Sequence, residues 1–392
     1  MPEISPSAIA PASSHNELSA RLNATINQAI TDKRLVGAVV LVRRRGKEVY
    51  RGAAGLADRE SGRRMTEDTL FRLSSVSKPI VATAALALVA QRKLGLDDDI
   101  RRWLPEFQPR LANGESPVIT PRQLLSHTAG LSYRFHDKDE HGPYTRAGIS
   151  DGMDEADITL AENMHRLAGV ALRYQPGSAW EYSLAIDVLG AVIERVCRQP
   201  LGEAVRTLVT SPLRMDDTAF HTADADRLAT PYVNDAPVPH RLQEGETVRF
   251  SEQAVGVRYS PGRAYNPRAY PSGGAGMVGT AADVMTLLET LRQGGAPLLS
   301  VDLVDEMGRD QTAGYPIPDA PGIGFGLGFS VLRDPAAAGS PESLGTWRWG
   351  GVYGHSWFVD RRQGISAVAL TNTLYEGMSG SFVTELRDAI YR

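Results

Sequence analysis

The spacing of apolar residues predicts a helix followed by a β-hairpin in the first fifty residues. After a capping residue at Asn16, apolar side chains recur every four positions, as on one face of an amphipathic helix, at Leu18, Leu22, Ile26 and Ile30. A β-branched run at residues 35–42, a basic turn at Gly46 and a second run at residues 48–51 predict two paired strands. Residues 1–16 are rich in Ser, Pro and Ala, so we expect a flexible arm there.

Helical signals dominate the middle of the chain. Residues 80–96 are apolar nearly all round, which is typical of a buried helix. Thr120 followed by Pro121 has the order of a helix cap and a first helical residue, and Gly130 lies just past the expected end. Further helices are predicted at residues 184–198, 201–209 and 281–292, whereas residues 221–271 are rich in Pro, Arg and Asp and receive no assignment.

Strand signals return after residue 320 and complete the predicted fold. Strands are expected at residues 324–332, 345–349, 356–359 and 365–370, with a hairpin turn at Gln363 and Gly364 and a final helix from Ser381. Strands at both ends with helices between them predict an α+β fold, in which both chain ends build one antiparallel sheet flanked by helices. Residues 17–80 and 286–392 would form this α/β domain, residues 81–285 a large, mainly helical inserted domain, and the functional site would lie between them.

Composition and charge narrow the class of protein. The 392 residues are 42% hydrophobic and 22% charged with a net charge of -4, which argues against a nucleic-acid groove or a membrane-attracted face and favours small-molecule partners. No window approaches the roughly 18 apolar residues of a membrane span, and the N-terminus lacks the pattern of a secretory signal, so we expect a cytoplasmic protein. Cys197 is the only cysteine, which excludes an intramolecular disulfide, and we expect it to be a buried structural thiol.

Ser75 and Lys78 form an S-x-x-K box at the start of the predicted buried helix. Residues three apart lie about one helical turn apart, so the hydroxyl and the amine can come within hydrogen-bond reach. Only five of the 42 basic residues are lysines, and a buried lysine can lose its proton whereas an arginine cannot. The pair therefore indicates a nucleophile beside a base, although an ordinary surface lysine would give the same tetrapeptide.

Five motifs, taken in order, carry a family resemblance. They are Ser75-Val-Ser-Lys78, Leu124-Leu-Ser-His-Thr-Ala-Gly130, Pro176-Gly-Ser-Ala-Trp-Glu-Tyr-Ser183, Ser272-Gly-Gly-Ala-Gly-Met277 and Trp349-Gly-Gly351. This order resembles the serine β-lactamase and penicillin-binding-protein superfamily over residues 17–392, and more narrowly the β-lactamase-like carboxylesterases related to class C enzymes. The resemblance implies a β-lactamase/transpeptidase-like fold and an acyl-enzyme mechanism.

The resemblance also implies the roles of individual residues. Ser75 would attack an acyl carbonyl, Lys78, kept neutral by burial and by neighbouring positive potential, would take its proton, and Tyr182 would share the proton relay. The backbone N–H groups of Ser75 and Val352 would form the oxyanion hole, with Val352 just after a glycine pair on the edge strand of the sheet. A core tyrosine at a helix start is the alternative for Tyr182.

Two departures from the family pattern favour esters over lactams. Trp349-Gly350-Gly351 stands where relatives that act on β-lactams have Lys-Thr-Gly, and Leu184 replaces the Asn of the Tyr-x-Asn box. Losing a charge-assisted hydrogen bond to a substrate carboxylate costs roughly 1.5–3 kcal/mol, enough to weaken lactam recognition. We expect the substrate pocket to involve the glycine pair and the side chains of Tyr133, Phe135, Trp180, Trp349 and His355, although a structural role for His355 is favoured.

Other motifs and other functions remain as alternatives. Gly148-Ile-Ser150-Asp-Gly152 spells the nucleophile elbow of α/β-hydrolases, with His355 and Asp360 downstream, but no strand precedes it. The acidic and histidine-containing residues 136–141 match no common metal loop, and we predict no metal and no cofactor. The function expected is a serine carboxylesterase for small or short-chain esters. The alternatives are a β-lactamase or D-alanyl peptidase, an acyltransferase, or a non-catalytic ligand-binding relative, and the oligomeric state is left open.

Overall fold

An eight-stranded antiparallel sheet forms the centre of the protein. The computed structural model describes residues 12–250 and 254–392. Its strands are β1 (Gly37–Arg44), β2 (Lys47–Asp58), β3 (Arg63–Arg64), β4 (Phe71–Arg72), β5 (Tyr232–Val233), β6 (His240–Arg241), β7 (Thr247–Val248), β8 (Val257–Arg258), β9 (Val278–Gly279), β10 (Ile323–Phe325), β11 (Ser330–Leu332), β12 (Trp347–Gly351), β13 (His355–Asp360) and β14 (Ile365–Thr371). The large sheet has the order β10-β11-β12-β13-β14-β1-β2-β3, and the remaining strands form three short pairs.

Helices cover both faces of this sheet. They are α1 (Ala12–Thr31), α2 (Ser77–Ala90), α3 (Pro121–Leu125), α4 (Pro143–Arg146), α5 (Leu160–Ala168), α6 (Ala185–Cys197), α7 (Leu201–Val205), α8 (Ser211–Leu213), α9 (Ala281–Arg292), α10 (Val301–Met307), α11 (Glu376–Ser379) and α12 (Ser381–Tyr391). Helices α1 and α12 pack on one face through a cluster that includes Leu22 and Phe382. Helices α2, α6 and α9 belong to the larger core on the other face.

The central strands β1 and β14 carry near-continuous apolar runs because both of their faces are covered. In β1, Val39 and Leu41 point into the larger core, whereas Val40 and Val42 point toward α1 and α12. Strand β14 alternates in the same way, and all seven of its residues are buried. A sheet covered on both sides loses the hydrophobic and polar alternation of a half-exposed strand, which explains the near-continuous apolar runs in the sequence.

The predicted fold class is confirmed. Strands from both chain ends pair directly, with β1 antiparallel to β14, and the segment between them carries most of the short helices. The first helix begins at Ala12, four residues earlier than its predicted cap, so the arm predicted for residues 1–16 does not extend past residue 11. Residues 1–11 lie outside the described part of the chain. The division into two domains stays a prediction.

Two local predictions need correction, and one unassigned segment contains short strands. The single strand predicted at residues 324–332 is two antiparallel strands, β10 and β11, because the chain turns at Gly328, which has a positive φ. The unassigned residues 221–271 contain the short pairs β5-β6 and β7-β8. Cys197 is only half-buried, since it ends helix α6 beside the surface. No helix in the described part of the chain combines the length and the apolar character needed to cross a bilayer.

The strand that carries Trp349-Gly350-Gly351 is not the edge strand that we predicted. β12 lies inside the sheet, between β11 and β13. Its pairing with β11 ends at Arg348, however, so residues 349–351 pair only with β13 on their other side. Residues 349–351 of β12 are therefore unpaired on one side, although β12 has a neighbouring strand on each side. This end of β12 faces the start of α2.

Candidate active site

The S-x-x-K box lies in a tight turn that leads into helix α2. Residues 74–76 form a 3-10 turn, and α2 continues from Ser77 through a run that is buried from Ser77 to Leu88. Pro79 falls in the first turn of α2, where its missing N–H costs nothing. The one-turn spacing brings the Lys78 Nζ to 3.2 Å from the Ser75 Oγ. Ser75 and Lys78 are therefore brought together as the sequence predicted.

Close packing of β12 holds the turn that carries Ser75. A Cβ atom on Gly351 would lie 2.4 Å from the Ser74 Oγ and 2.6 Å from the Leu73 carbonyl oxygen, so only glycine fits there. Ser74 itself has a φ of 43°, in the left-handed region that residues other than glycine seldom adopt. Gly351 thus makes room for the Ser75 turn, and it does not line the substrate cavity as we expected.

Tyr182 completes a group of three hydrogen-bonded side chains. Its Oη shares a hydrogen bond of 2.6 Å with the Ser75 Oγ, and the Lys78 Nζ lies 4.5 Å from the centroid of its ring. Burial raises the pKa of Tyr182 above the ordinary value for a phenol, which keeps the hydroxyl protonated near neutral pH. Tyr182 lies three residues before the first residue of helix α6, so the start of that helix helps to fix its position.

His127 orients Tyr182, a role that the sequence did not reveal. The backbone N–H of Ser183 donates to the His127 Nδ1 at 3.2 Å, and the two rings lie 4.8 Å apart. Burial lowers the pKa of His127 well below its ordinary value, so the ring is neutral, with Nδ1 as the acceptor. The partner of the His127 ring lies 56 residues away along the chain. Its φ of 56° follows from the turn after α3.

Burial controls the charge of Lys78. Its side chain is fully buried and donates to the Gly274 carbonyl oxygen at 2.8 Å in addition to the Ser75 Oγ. Desolvation lowers the pKa of Lys78 to about 7, and the carboxylates of Asp187 and Asp151 oppose that shift. Our expectation of neighbouring positive potential was wrong, because the charged groups that act on this amine are acidic.

Backbone geometry prepares two N–H groups beside Ser75. The Gly354 N–H donates to the Gly351 carbonyl oxygen at 2.8 Å, which fixes the peptide plane between Gly351 and Val352. In a trans peptide the N–H of Val352 points opposite to that carbonyl. Among the described residues, neither this N–H nor that of Ser75 donates to another protein group. Both amides are therefore available to a bound oxyanion.

A cavity opens at Ser75, and aromatic rings form much of its wall there. Phe135, Trp180, Trp349 and Gly350 line it, as predicted for a pocket, and the T-shaped pair of Tyr182 and Trp349 has a ring separation of 5.3 Å. The sequence analysis did not predict several other residues that line the cavity, which are His136, Arg249, Phe250, Tyr375 and the side chain of Val352. Arg249 supplies a cation, so the cavity wall is not uniformly apolar.

Two predicted pocket residues lie behind the cavity wall. Tyr133 is buried, stacks on Phe135 at 4.4 Å and packs against Tyr182 at 5.1 Å, so it supports the lining from behind. His355 is buried in β13, opposite Gly351, where its Nε2 bonds to the Arg72 carbonyl oxygen at 2.8 Å. Burial lowers the pKa of His355 to about 4, which leaves a neutral ring that joins two strands. The structure does not bring His355 to the cavity.

The alternative nucleophile has no catalytic partners in the structure. Ser150 is buried and donates to the Asp154 Oδ1 at 2.5 Å. Asp360, which an α/β-hydrolase triad would require nearby, accepts instead from Tyr391 and from backbone N–H groups. Because His355 bonds to Arg72, the side chains of Ser150, Asp360 and His355 bond to three separate sets of partners. Within residues 12–250 and 254–392 no cluster of three or more His, Cys, Asp or Glu side chains could hold a metal ion.

Asp187 is the functional candidate that the sequence analysis missed. It lies in the first turn of α6, five residues after Tyr182, and its Oδ2 accepts from the Gly274 N–H at 3.2 Å. Burial raises its pKa to about 6. The available signal was a lone acidic residue in the apolar run from Leu184 to Ile193, because a buried charge needs a specific reason.

Comparisons with known proteins identify the family and the fold. The family profile described as Beta-lactamase matches residues 22–391. The chain is 53% identical over 375 residues to Esterase EstB of Burkholderia gladioli, covering 95% of each protein. Its structure superimposes on that of EstCE1, a hydrolase with promiscuous acyltransferase activity, with a TM-score of 0.95, 46% identity and coverage of 97% and 100%. Unliganded simvastatin synthase of Aspergillus terreus, at 20% identity, a TM-score of 0.71 and coverage of 95% and 98%, shares the fold.

Proposed function

The chain belongs to the Beta-lactamase family, and on that premise we propose that it is a serine carboxylesterase that hydrolyses small or short-chain esters through an acyl-enzyme on Ser75. The observation that carries the proposal is the convergence of the Lys78 Nζ and the Tyr182 Oη on the Ser75 Oγ, at 3.2 and 2.6 Å. The names of the related proteins EstB and EstCE1 support an ester substrate. A small-molecule ester as partner and a cytoplasmic location are part of this proposal.

Acylation uses the three side chains in turn. The Ser75 Oγ attacks the ester carbonyl while neutral Lys78 takes its proton, and the N–H groups of Ser75 and Val352 stabilise the oxyanion. Collapse of the tetrahedral intermediate breaks the bond to the leaving alcohol. Tyr182 passes its proton to that alcohol, and the proton that Lys78 took from Ser75 restores the phenol. Water then attacks the acyl-enzyme by the same relay in reverse and releases the acid and free Ser75.

The acyl-enzyme itself provides the test of this function. We expect brief exposure to a short-chain p-nitrophenyl ester to release p-nitrophenol and to add one acyl group to Ser75, measured by intact-mass spectrometry and peptide mapping. A fluorophosphonate should label the same residue. A cephalosporin should give slow turnover or none. If neither the ester nor the fluorophosphonate modifies the protein, the remaining alternative is a ligand-binding relative without catalysis.

The pH dependence of ester hydrolysis follows from the state of Lys78. Burial lowers the pKa of its amine to about 7, so the neutral base is present above that pH and disappears as the pH falls below it. We therefore expect the acidic limb of the kcat/KM profile to have its midpoint near pH 7, measured with an uncharged ester whose own chemistry does not titrate. Constant kcat/KM from pH 8 down to pH 5 would contradict a neutral lysine base.

Acyl transfer to an alcohol is the second candidate, because it shares the same acyl-enzyme. The aromatic wall of the cavity favours an apolar acceptor over water, and the related structure EstCE1 is described as having promiscuous acyltransferase activity. The ratio of product ester to free acid in the presence of an added alcohol separates the two activities. A β-lactamase or D-alanyl peptidase is less favoured, because Trp349 replaces the lysine that would pair with a substrate carboxylate.

A further inference from the structure

Asp187 and Lys78 contact opposite ends of the same residue. The backbone N–H of Gly274 donates to the Asp187 Oδ2 at 3.2 Å, and the carbonyl oxygen of Gly274 accepts from the Lys78 Nζ at 2.8 Å. Both side chains are fully buried. The carboxylate therefore fixes the backbone of a residue whose carbonyl holds the amine.

The space around Gly274 leaves little freedom for this arrangement. A Cβ atom on Gly274 would lie 2.6 Å from the Asp187 Oδ2 and 3.4 Å from the Lys78 Nζ. Among the described residues, the hydrogen-bond acceptors of the Lys78 amine are Gly274 and Ser75. If the Gly274 carbonyl moved, the amine would lose the contact that directs it toward Ser75.

We propose that Asp187 is a positioning residue that fixes, through the backbone of Gly274, the Lys78 amine opposite the Ser75 hydroxyl. The proposal rests on the proposed esterase function, because it assigns Asp187 a part in the same reaction. Asp187 contacts neither the reacting atoms nor the cavity, and the geometry gives it no role as a base of its own.

The charge of Asp187 gives this role a measurable signature. The groups that face Lys78 are Asp187 from helix α6, Asp151 from the loop before α5, and the rings of Tyr133, Tyr182 and the neutral His127. Arg263 acts on Asp187 in turn. The negative charge of Asp187 raises the pKa of Lys78 against the effect of burial. Removing that charge should therefore lower the pKa of Lys78 further.

Two substitutions separate the charge from the hydrogen bond. Asp187→Asn keeps an oxygen that can accept from Gly274, so we expect kcat within a few-fold of wild type and an acidic limb displaced by about one pH unit to lower pH. Asp187→Ala removes the acceptor as well, and we expect the same displacement with a kcat lowered on the order of 10- to 100-fold and little change in KM. The measurement is the full pH profile of kcat and kcat/KM with an uncharged p-nitrophenyl ester.

A partly buried carboxylate elsewhere provides the matched control. Asp283 in helix α9 also accepts a hydrogen bond, from Thr218, and burial raises its pKa to about 6. Asp283→Asn therefore tests the general effect of neutralising such a carboxylate. Its pH profile should match wild type. If Asp187→Ala keeps the kcat of Asp187→Asn, the hydrogen bond to Gly274 does not position Lys78, and if Asp283→Asn shifts the limb as much as Asp187→Asn does, the shift is not specific to Asp187. If Asp187→Ala fails to fold, as judged by circular dichroism, Asp187→Leu, which keeps the approximate volume and also lacks the acceptor, takes its place in the comparison with Asp187→Asn.

Failure of this inference is distinguishable from failure of the proposed function. Labelling of wild-type Ser75 by a fluorophosphonate reports on the acyl-enzyme independently of Asp187. A labelled wild type, together with an Asp187→Ala variant that keeps the kcat of Asp187→Asn, would overturn the positioning role alone. An unlabelled wild type would overturn the esterase proposal, and the role of Asp187 with it.

Discussion

Ser75→Ala is expected to reduce ester turnover by roughly four orders of magnitude or more. The substitution removes the oxygen that forms the acyl-enzyme, and Lys78 and Tyr182 then have no nucleophile to activate. The remaining rate would come from the oxyanion hole and from binding alone. Steady-state hydrolysis of p-nitrophenyl acetate, corrected for the spontaneous reaction, measures the loss, and intact-mass spectrometry should show no acyl adduct.

Ser150→Ala is the matched control for this loss. Ser150 lies in a G-x-S-x-G motif, but its hydroxyl is buried and bonded to Asp154, so the variant should keep turnover within a few-fold at temperatures where it is folded. Its free energy of unfolding should fall by about 1–3 kcal/mol, because the Asp154 carboxylate loses a buried partner. The reverse pattern, with Ser75→Ala active and Ser150→Ala inactive, would transfer the reaction to the α/β-hydrolase motif.

Tyr182→Phe should produce the second largest loss, about 10²- to 10⁴-fold in kcat/KM. The phenylalanine keeps the ring contacts with His127 and Trp349 and removes only the hydroxyl that lies 2.6 Å from the Ser75 Oγ. A general acid and base is then missing from both the acylation and the deacylation steps. Rapid-quench kinetics should show whether the burst of p-nitrophenol or the later steady rate is affected more.

The same change at Tyr174 controls for loss of a phenol near the site. The Tyr174 hydroxyl donates a long hydrogen bond, of 3.3 Å, to the His127 carbonyl oxygen and does not bond to Ser75. Tyr174→Phe should therefore change kcat/KM by no more than a few-fold. A Tyr182→Phe enzyme with more than one tenth of the wild-type activity would mean that Lys78 carries the proton transfers without the phenol.

The sequence predicted the elements of the site whose signals are local. A one-turn spacing on a buried helix determines that Ser75 and Lys78 meet, and the apolar runs at both ends of the chain predict the antiparallel sheet. The ordered motifs added Tyr182, which lies 107 residues from Ser75, and spacing alone could not have placed it. The assignment of catalytic roles to these three residues remains a prediction until the variants are measured.

Features that depend on packing between distant segments were not predictable. We predicted β12 to be an edge strand. The residues of β12 do not show that the short strand β11 pairs with the first half of β12 and leaves the second half unpaired on that side. We included His355 among the pocket residues because it follows the glycine pair in the sequence. In the structure its ring instead bonds to the carbonyl oxygen of Arg72. The electrostatic surroundings of Lys78 were assigned the wrong sign, because Asp151 and Asp187 reach it from two other elements.

The packing of the glycine pair in β12 also limits how this chain could change its substrates. Restoring the Lys-Thr-Gly triplet of lactam-cleaving relatives would require a threonine at position 350. A Cβ atom there would lie 2.6 Å from the His355 carbonyl oxygen and 2.9 Å from Met378, and the first of these is backbone. No single substitution relieves a clash with a neighbouring strand. An evolutionary or engineered path toward lactams would therefore have to move β13 before it changed the triplet, which makes ester preference difficult to reverse in small steps.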